Sequence, residues 1–204
     1  MKRFPALIVL ALLSVAALGL LWLAQPRNLA STALGLAGDA LGLEITAEGV
    51  ADYHLRGTPQ LVVRGLSARE PGAAQPLLTA ERLLIALPWS TLRARGSDPT
   101  ATRLELDAPV LDLAAFRHWQ AQRPPSDTPL PTLTRGLRIT RGTLIGQDWK
   151  VKDLETDLPS LAASKPLRAH LSGRYESDAL AIPADLHLAF TKPESGAGLG
   201  VSGN

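Results

Sequence analysis

Residues 103–108 read Arg-Leu-Glu-Leu-Asp-Ala, so that an apolar residue follows every charged one. Successive side chains of an extended strand point to opposite faces, and this stretch therefore separates its two residue classes completely. Leu104, Leu106 and Ala108 lie on one face, and the three charged residues lie on the other. The pattern predicts a β-strand with one apolar face and one solvated face.

The same period of two recurs on both sides of this stretch. It is found in residues 61–64, 82–87, 137–140, 167–175 and 182–190. Clusters rich in glycine or proline at residues 56–59, 70–72, 95–99 and 146–148 punctuate the runs, as expected for turns. We therefore predict a mainly β fold, with a mostly antiparallel sheet that has one apolar face and a few short helices.

Two short segments have a helical period instead. Residues 28–41 repeat apolar side chains three and four positions apart, and Gly42 follows as the expected C-terminal cap. Residues 113–122 contain Phe116 and Trp119 at a spacing of three, and we expect this helix to pack on the sheet. A proline-rich run follows at residues 124–131, which we interpret as a linker because proline cannot donate to a β-ladder.

Residues 4–24 form an apolar run without any charged residue. As a helix such a run spans about 30 Å, the thickness of the hydrocarbon core of a bilayer. Lys2 and Arg3 precede it, so the positive-inside rule places the amino terminus of this predicted anchor in the cytoplasm. The alternative is a cleaved signal peptide, because residues 17–19 read Ala-Leu-Gly, the small-x-small form of a cleavage site. Both interpretations export the remaining chain.

These features divide the chain into segments of different character. A cytoplasmic tip and transmembrane anchor (1–27) precede a membrane-proximal helix (28–42), a first β-rich segment (43–123), the linker (124–131), a second β-rich segment (132–190) and a flexible tail (191–204). The tail is predicted from its glycine content, and the alternative is the start of a turn whose next strand is missing.

Composition excludes several classes of function. The chain has no cysteine, which rules out disulfides, zinc–thiolate sites and cysteine nucleophiles. Its net charge of +2 is too small, and its basic residues too scattered, for a protein that binds nucleic acid. Neither Gly-x-Ser-x-Gly, nor Ser-x-x-Lys, nor a phosphate-binding loop occurs.

The titratable residues show no catalytic arrangement either. No two histidines have the spacing of two or four that a metal site on one strand or helix would use, so we expect all of them to be solvated. Glu105, Asp107 and Asp112 are assigned to a charged solvent face. We therefore expect a non-catalytic protein without a cofactor or a metal. The four histidines expected to be solvated are His54, His118, His170 and His187.

A longer order of motifs is also present. The anchor and the first helix lead into Gly-Leu-Glu-Ile-Thr (42–46), Pro-Gln-Leu-Val-Val-Arg-Gly-Leu-Ser (59–67) and Pro-Leu-Leu-Thr-Ala-Glu-Arg-Leu-Leu-Ile (76–85). A turn at 88–92 and strands at 104–113 and 137–144 come next. This order resembles the amino-terminal region of the AsmA family of Gram-negative envelope proteins.

The resemblance implies a periplasmic β-sheet that curves into a trough and shields acyl chains on its apolar inner face. It implies a single-pass protein of the bacterial inner membrane whose partner is membrane phospholipid. Such a protein guides lipid between the envelope membranes and supports outer-membrane assembly. Other envelope proteins are a second expected class of partner. Family members usually have a much longer periplasmic region. The resemblance therefore implies that the chain is either a truncated or minimal member or works with other chains.

The apolar positions of the alternating runs are the candidates for lining such a trough. A sheet with one apolar face must cover that face with helices, a second sheet or a ligand. The alternative to an open trough is therefore a sandwich or partial barrel that hides the face. The alternative function is a membrane-anchored scaffold that binds a protein partner through a sheet edge. The candidates are Leu61, Val63, Leu83, Ile85, Leu87, Leu104, Leu106, Leu137, Ile139, Leu171, Leu186 and Leu188.

Overall fold

A computed structural model describes residues 34–35, 37–39, 41–54, 57–93, 100–122, 132–162, 165–192 and 197–203. The predicted anchor (4–24), linker (124–131) and turn at 95–99 lie outside these residues. Within the described part of the chain, no helix has the length and hydropathy needed to cross a membrane.

Thirteen strands and two short helices have both of their ends within the described residues. The helices are α1 (Trp89–Arg93) and α2 (Leu113–Ala121). The prediction of a mainly β fold with few helices is confirmed. The strands are β1 (Glu44–Thr46), β2 (Gly49–His54), β3 (Gln60–Arg69), β4 (Leu78–Ala86), β5 (Thr100–Ala101), β6 (Arg103–Asp107), β7 (Val110–Asp112), β8 (Thr132–Leu133), β9 (Leu137–Ile145), β10 (Trp149–Leu158), β11 (Leu167–Ser177), β12 (Ala181–Lys192) and β13 (Ala197–Gly203).

Eleven of these strands form one sheet. Its main path runs β1-β3-β4-β6-β9-β10-β11-β12-β13, with β2 paired to β3, and β7 paired to both β4 and β9. Most pairs are antiparallel as predicted, but β9 runs parallel to β6 and β7. A parallel pair needs a long crossover connection, and the chain between β7 and β9, which includes α2, provides it. The two β-rich segments are therefore joined strand to strand at β6, β7 and β9.

The first helical segment ends where the sequence predicts. Residues 34, 35, 37–39 and 41 are helical, and Gly42 adopts a left-handed φ of 56°. Gly42 donates its N–H to the carbonyl of Asp39 (3.3 Å), and Leu43 donates to the carbonyl of Gly38 (2.9 Å). These two bonds are those of a Schellman cap, so the predicted capping role of Gly42 is confirmed.

Helix α2 packs on the sheet, as its aromatic residues predict. Phe116 and Trp119 contact a cluster of buried residues formed by Leu43, Ala68 and Leu77. Their rings lie 5.5 Å apart, centroid to centroid. The helix therefore covers the end of the apolar face that lies next to β1 and β7.

The prediction of a flexible tail over residues 191–204 is wrong for residues 197–203. These residues form β13, an antiparallel partner of β12. Leu199 lies opposite Phe190, and Val201 lies opposite Leu188. Gly200 separates these two apolar residues, and its lack of a side chain hides a period of two that the ladder nevertheless uses.

A line of left-handed residues interrupts the alternation on several strands. Residues Gly65, Ala108, Arg141 and Asp153 have φ values of 59°, 47°, 54° and 51°. The predicted strand 103–108 consequently ends at Asp107. Around each interruption, the residues on the apolar side are three positions apart, in place of two. These pairs are Val63 and Leu66, Leu106 and Pro109, Ile139 and Gly142, and Val151 and Leu154.

Gly136, which precedes β9, tests whether the second β-rich segment depends on close backbone packing against Leu158 at the end of β10. It is buried with φ 75°, and a Cβ there would collide with the carbonyl oxygen of Leu158. Gly72 has a similar φ of 80° but has open space around it. Gly72→Ala should cost about 1–2 kcal/mol, the price of a left-handed alanine. Gly136→Ala should lower the free energy of unfolding by about 1–3 kcal/mol more than Gly72→Ala does, because the new Cβ collides with the Leu158 carbonyl.

Urea unfolding of both variants, monitored by circular dichroism, provides the measurement. Equal losses of unfolding free energy in the two variants would mean that the contact between Gly136 and Leu158 is not tight in solution.

Candidate functional site

The predicted trough residues lie in register across neighbouring strands. In one row, which we call the Val63 row, each residue is the direct partner of the next on the adjoining strand. In antiparallel and parallel pairs alike, such partners share a face of the sheet. The Val63 row consists of Val63, Leu83, Leu106, Ile139, Thr156, Leu171 and Leu186.

A second row lies beside the first. This Leu61 row consists of Leu61, Ile85, Leu104, Leu137 and Leu158 on β3 to β10. Ala169 and Leu188, which pair with each other on β11 and β12, continue its direction. All the predicted residues except Leu87 belong to these two rows. Leu87 lies beyond the end of β4, where it donates its backbone N–H to the carbonyl of Pro59 (2.9 Å).

A third row lies on the same face, and the alternation in the sequence revealed only its members on β11 and β12, Tyr175 and Ile182. It contains residues of β4, β7, β9, β10, β11 and β12 that are also direct partners. Arg141 on β9, Asp153 on β10 and Ala108 between β6 and β7 are left-handed and separate this row from the first two there, so a strict period of two cannot be followed on those strands. The row consists of Leu78, Leu111, Leu144, Val151, Tyr175 and Ile182.

Burial of this apolar face changes from one end of the sheet to the other. Val63 is 1% exposed and Leu83 is 7% exposed, and both pack in a cluster that includes Leu34 of the first helical segment. Leu186 and Ile182 on β12 are 37% and 44% exposed. The face is thus covered at β3 and β4 and open to solvent at β12.

Thr156 places a polar atom within the Val63 row. It lies between Ile139 on β9 and Leu171 on β11. Its Oγ1 is buried and has no hydrogen-bond partner among the described residues. A buried hydroxyl without a partner loses its hydration and gains nothing in return, which costs about 1–3 kcal/mol.

Thr156→Val replaces that hydroxyl by a methyl group of similar size. We expect the free energy of unfolding to rise by about 1 kcal/mol, since the desolvation cost disappears while the β-branched shape remains. Thr140→Val is the control, because the Thr140 hydroxyl donates to Asp107 Oδ1 at 2.8 Å and its loss should be destabilising. Chemical denaturation of the three proteins measures both effects. A destabilised Thr156→Val would show that the hydroxyl has a partner in solution.

The opposite face of the sheet carries the charged residues, as the alternation predicts. Arg82 and Arg103 both pair with Glu105. Arg141 bridges two strands, with its Nη2 2.8 Å from Asp107 and 2.6 Å from Glu81. The side chains of these pairs range from 22% exposed for Glu105 to 65% exposed for Glu81, and ion pairs open to solvent contribute little to stability. Their main effect is to keep this face solvated.

The prediction of a solvent-face role is incomplete for Asp112. Its Oδ1 accepts the backbone N–H groups of Ala114 (2.8 Å) and Ala115 (3.0 Å), which makes Asp112 the N-cap of α2. An aspartate in this position satisfies the free amides of the first turn.

Asp107 titrates abnormally because of its partners on β9. Hydrogen bonds from Arg141 and from Thr140 hold the pKa of the Asp107 carboxyl below its usual value of 3.8. A lowered pKa in the folded state means that the carboxylate stabilises the fold above the unfolded pKa. That stabilisation is lost as the pH falls through the folded pKa.

Asp107→Asn should therefore lower the free energy of unfolding by a constant amount above about pH 5, and the gap to the unchanged protein should close below pH 3.8. Urea denaturation from pH 7 to pH 2.5 measures the gap. Glu44→Gln, which removes an exposed pair with Arg69 on β3, is the control and should change little at any pH. A gap that persists unchanged at pH 2.5 would contradict the assignment.

The structure brings together two histidines that the sequence leaves far apart. His170 and His187 lie on the solvated face, as predicted, but they are direct partners on β11 and β12, and their rings stack with centroids 4.6 Å apart. His170 Nε2 lies 2.8 Å from Asp185 Oδ1. Of the other two, His54 lies 3.5 Å from Asp52, and His118 lies 3.2 Å from Glu70.

The position of the turn between β11 and β12 determines the histidine pair. Ser177 and Leu180 exchange backbone hydrogen bonds around a two-residue turn. In a hairpin the turn fixes the register of both strands. His170 lies seven positions before Ser177, and His187 lies seven positions after Leu180, so locating the turn pairs them.

Comparison of the chain with protein-family models and with curated protein sequences finds no match. The resemblance to the AsmA family therefore stays a prediction from the order of motifs.

Proposed function

We propose that the apolar face of the sheet binds acyl chains of membrane phospholipid, with the open strands β11 and β12 as the place where they enter. The observation that carries this proposal is the combination of continuity and exposure. The Val63 row runs over seven neighbouring strands, and its burial falls from Val63 at 1% exposed to Leu186 at 37% exposed. Exposed apolar surface that continues a buried core is suited to an apolar ligand.

The dimensions of the face fit this ligand. Six spacings of about 4.8 Å separate β3 from β12 along the sheet, which gives a face about 29 Å wide. A bilayer's hydrocarbon core of about 30 Å holds two acyl chains end to end, so the face is wide enough for one chain even without its covered part at β3 and β4. Each methylene group removed from water contributes about 0.8 kcal/mol, so a bound acyl chain needs few polar contacts. The left-handed interruptions at neighbouring strands favour local bending, which supports a trough.

The predicted anchor gives this face its proposed location. As an uncleaved helix, residues 4–24 would hold the chain in the bacterial inner membrane, with the amino terminus in the cytoplasm and the sheet in the periplasm. In this setting the protein would act without catalysis, as an envelope protein of the AsmA type that guides phospholipid between membranes and supports outer-membrane assembly.

Leu186→Asp tests the open end of the face. Leu186 is 37% exposed, so a charge there should disturb folding little, yet it should repel an acyl chain. Ile145→Asp is the matched control, since Ile145 is 39% exposed but lies on the solvated face opposite Lys150. Cells that express the full chain would receive a diazirine-labelled fatty acid and be irradiated. Label would then be measured on the tryptic peptide that follows Arg174.

We expect Leu186→Asp to reduce this label about tenfold or more, and Ile145→Asp to change it less than twofold. Restricting the measurement to that peptide excludes label acquired by the predicted anchor within the bilayer. Absence of label from this peptide in the unchanged chain, or equal loss in the two variants, would reject the proposal.

An edge of the sheet favours a second candidate function. Among the described strands, β13 ends the main path, and its residues 197–203 include neither a charged residue nor a proline. Such an edge can pair with a strand of another protein, because nothing on it blocks a further ladder. In the same irradiated cells, a photoreactive residue at Leu199 would attach to one dominant protein if the chain acts as a scaffold.

A further inference from the structure

We propose that His170, Asp185 and His187 form a binding site for a divalent transition-metal ion on the solvated face of the β11–β12 hairpin. One ligand atom from each residue lies within 4.8 Å of the other two. His170 Nε2 is 2.8 Å and His187 Nε2 is 3.9 Å from Asp185 Oδ1. The site does not depend on lipid binding at the other face.

The separations match those that a metal ion imposes. In tetrahedral coordination with bonds of about 2.0–2.1 Å, neighbouring ligand atoms lie about 3.3–3.5 Å apart. The two distances to Asp185 Oδ1 bracket this value. The side chain of His187 is 67% exposed and that of His170 is 44% exposed, so small rotations can bring all three atoms to the metal without disturbing the core.

The backbone beneath the site is well ordered by its pairing. Strands β11 and β12 are in register without a bulge from Leu167↔Phe190 to Glu176↔Ala181. Within this ladder His170 faces His187, and Ser172 faces Asp185. Two imidazoles held side by side on paired strands already approach the geometry of a chelate, which reduces the ordering needed on binding.

The surroundings leave room for the remaining ligands of the ion. A depression of about 480 Å³ adjoins the histidines and is also lined by Asp157, Arg168 and Ser202. Asp157 lies opposite His170 and adds a negative charge, whereas Arg168 adds a positive one. Water can complete the coordination from this open side. Two imidazoles and one carboxylate favour Zn²⁺, Cu²⁺ or Ni²⁺ over Mg²⁺ and Ca²⁺.

Zn²⁺ titration of the full chain tests the site. The protein would be purified in detergent through a tag without histidine, treated with EDTA and titrated calorimetrically with ZnCl₂. We expect one bound ion, a loss of affinity of at least about tenfold in His170→Gln, His187→Gln and Asp185→Asn, and no competition by Mg²⁺. His54→Gln is the matched control, because His54 has a nearby carboxylate but, among the described residues, no second histidine beside it. The Zn²⁺ affinity of this variant should stay within about twofold of that of the unchanged chain.

Two further measurements keep the result decisive. Far-UV circular dichroism would show whether each variant retains the sheet, which the exposure of these side chains leads us to expect. Bound Zn²⁺ should also raise the unfolding temperature of the unchanged chain but not that of the double variant His170→Gln with His187→Gln. Failure to bind at millimolar Zn²⁺, or equal affinity in the folded double variant, would overturn the proposal.

Discussion

The removal of one face of a single sheet from water is the constraint on which the other features depend. Val63, Leu83 and Leu106 are partners on three successive strands, and the first two are almost completely buried. A shift of register by one residue would turn each of them to the solvated face. The strand order, the cap at Gly42 that ends the first helical segment and the packing of α2 all serve to cover this face at β1, β3 and β4.

The cover ends before the sheet does, and this difference gives the molecule two regions of different character. At β3 and β4 the apolar rows are a protein core. At β12 the continuation of the same rows is exposed at Leu186 and Ile182. Their exposure means that no described element, including the two-stranded sheet of β5 and β8, covers them completely. The proposal of lipid binding rests on this contrast. The protein covers the apolar face by itself at β3 and β4, and a bound acyl chain would cover the part that stays exposed at β12.

The left-handed residues across the middle of the sheet have a cost and an effect. For Ala108, Arg141 and Asp153 the backbone conformation is unfavourable by about 1–2 kcal/mol each. Each allows the chain to return to the apolar face after two intervening residues in place of one, and at Arg141 and Asp153 both intervening residues are polar. They also place Arg141 where it reaches both Asp107 and Glu81 on neighbouring strands. The polar face is thus linked across β4, β6 and β9 by one guanidinium.

The amino-acid sequence by itself determined the strands and their two faces, because the period of two is a local property that solvent exposure imposes on each strand separately. It therefore identified Leu61, Leu104 and Leu188 as members of one face. The tertiary structure alone decided the order of the strands and the parallel joint between β6 and β9, which depend on contacts distant in sequence. It also decided the members of the third apolar row on β7, β9 and β10, and the strand β13. The former lie beyond left-handed residues whose types give no signal, and the latter is hidden by glycine. The pairing of His170 with His187 lies between these cases, since its register follows from a turn that only the folded hairpin makes evident.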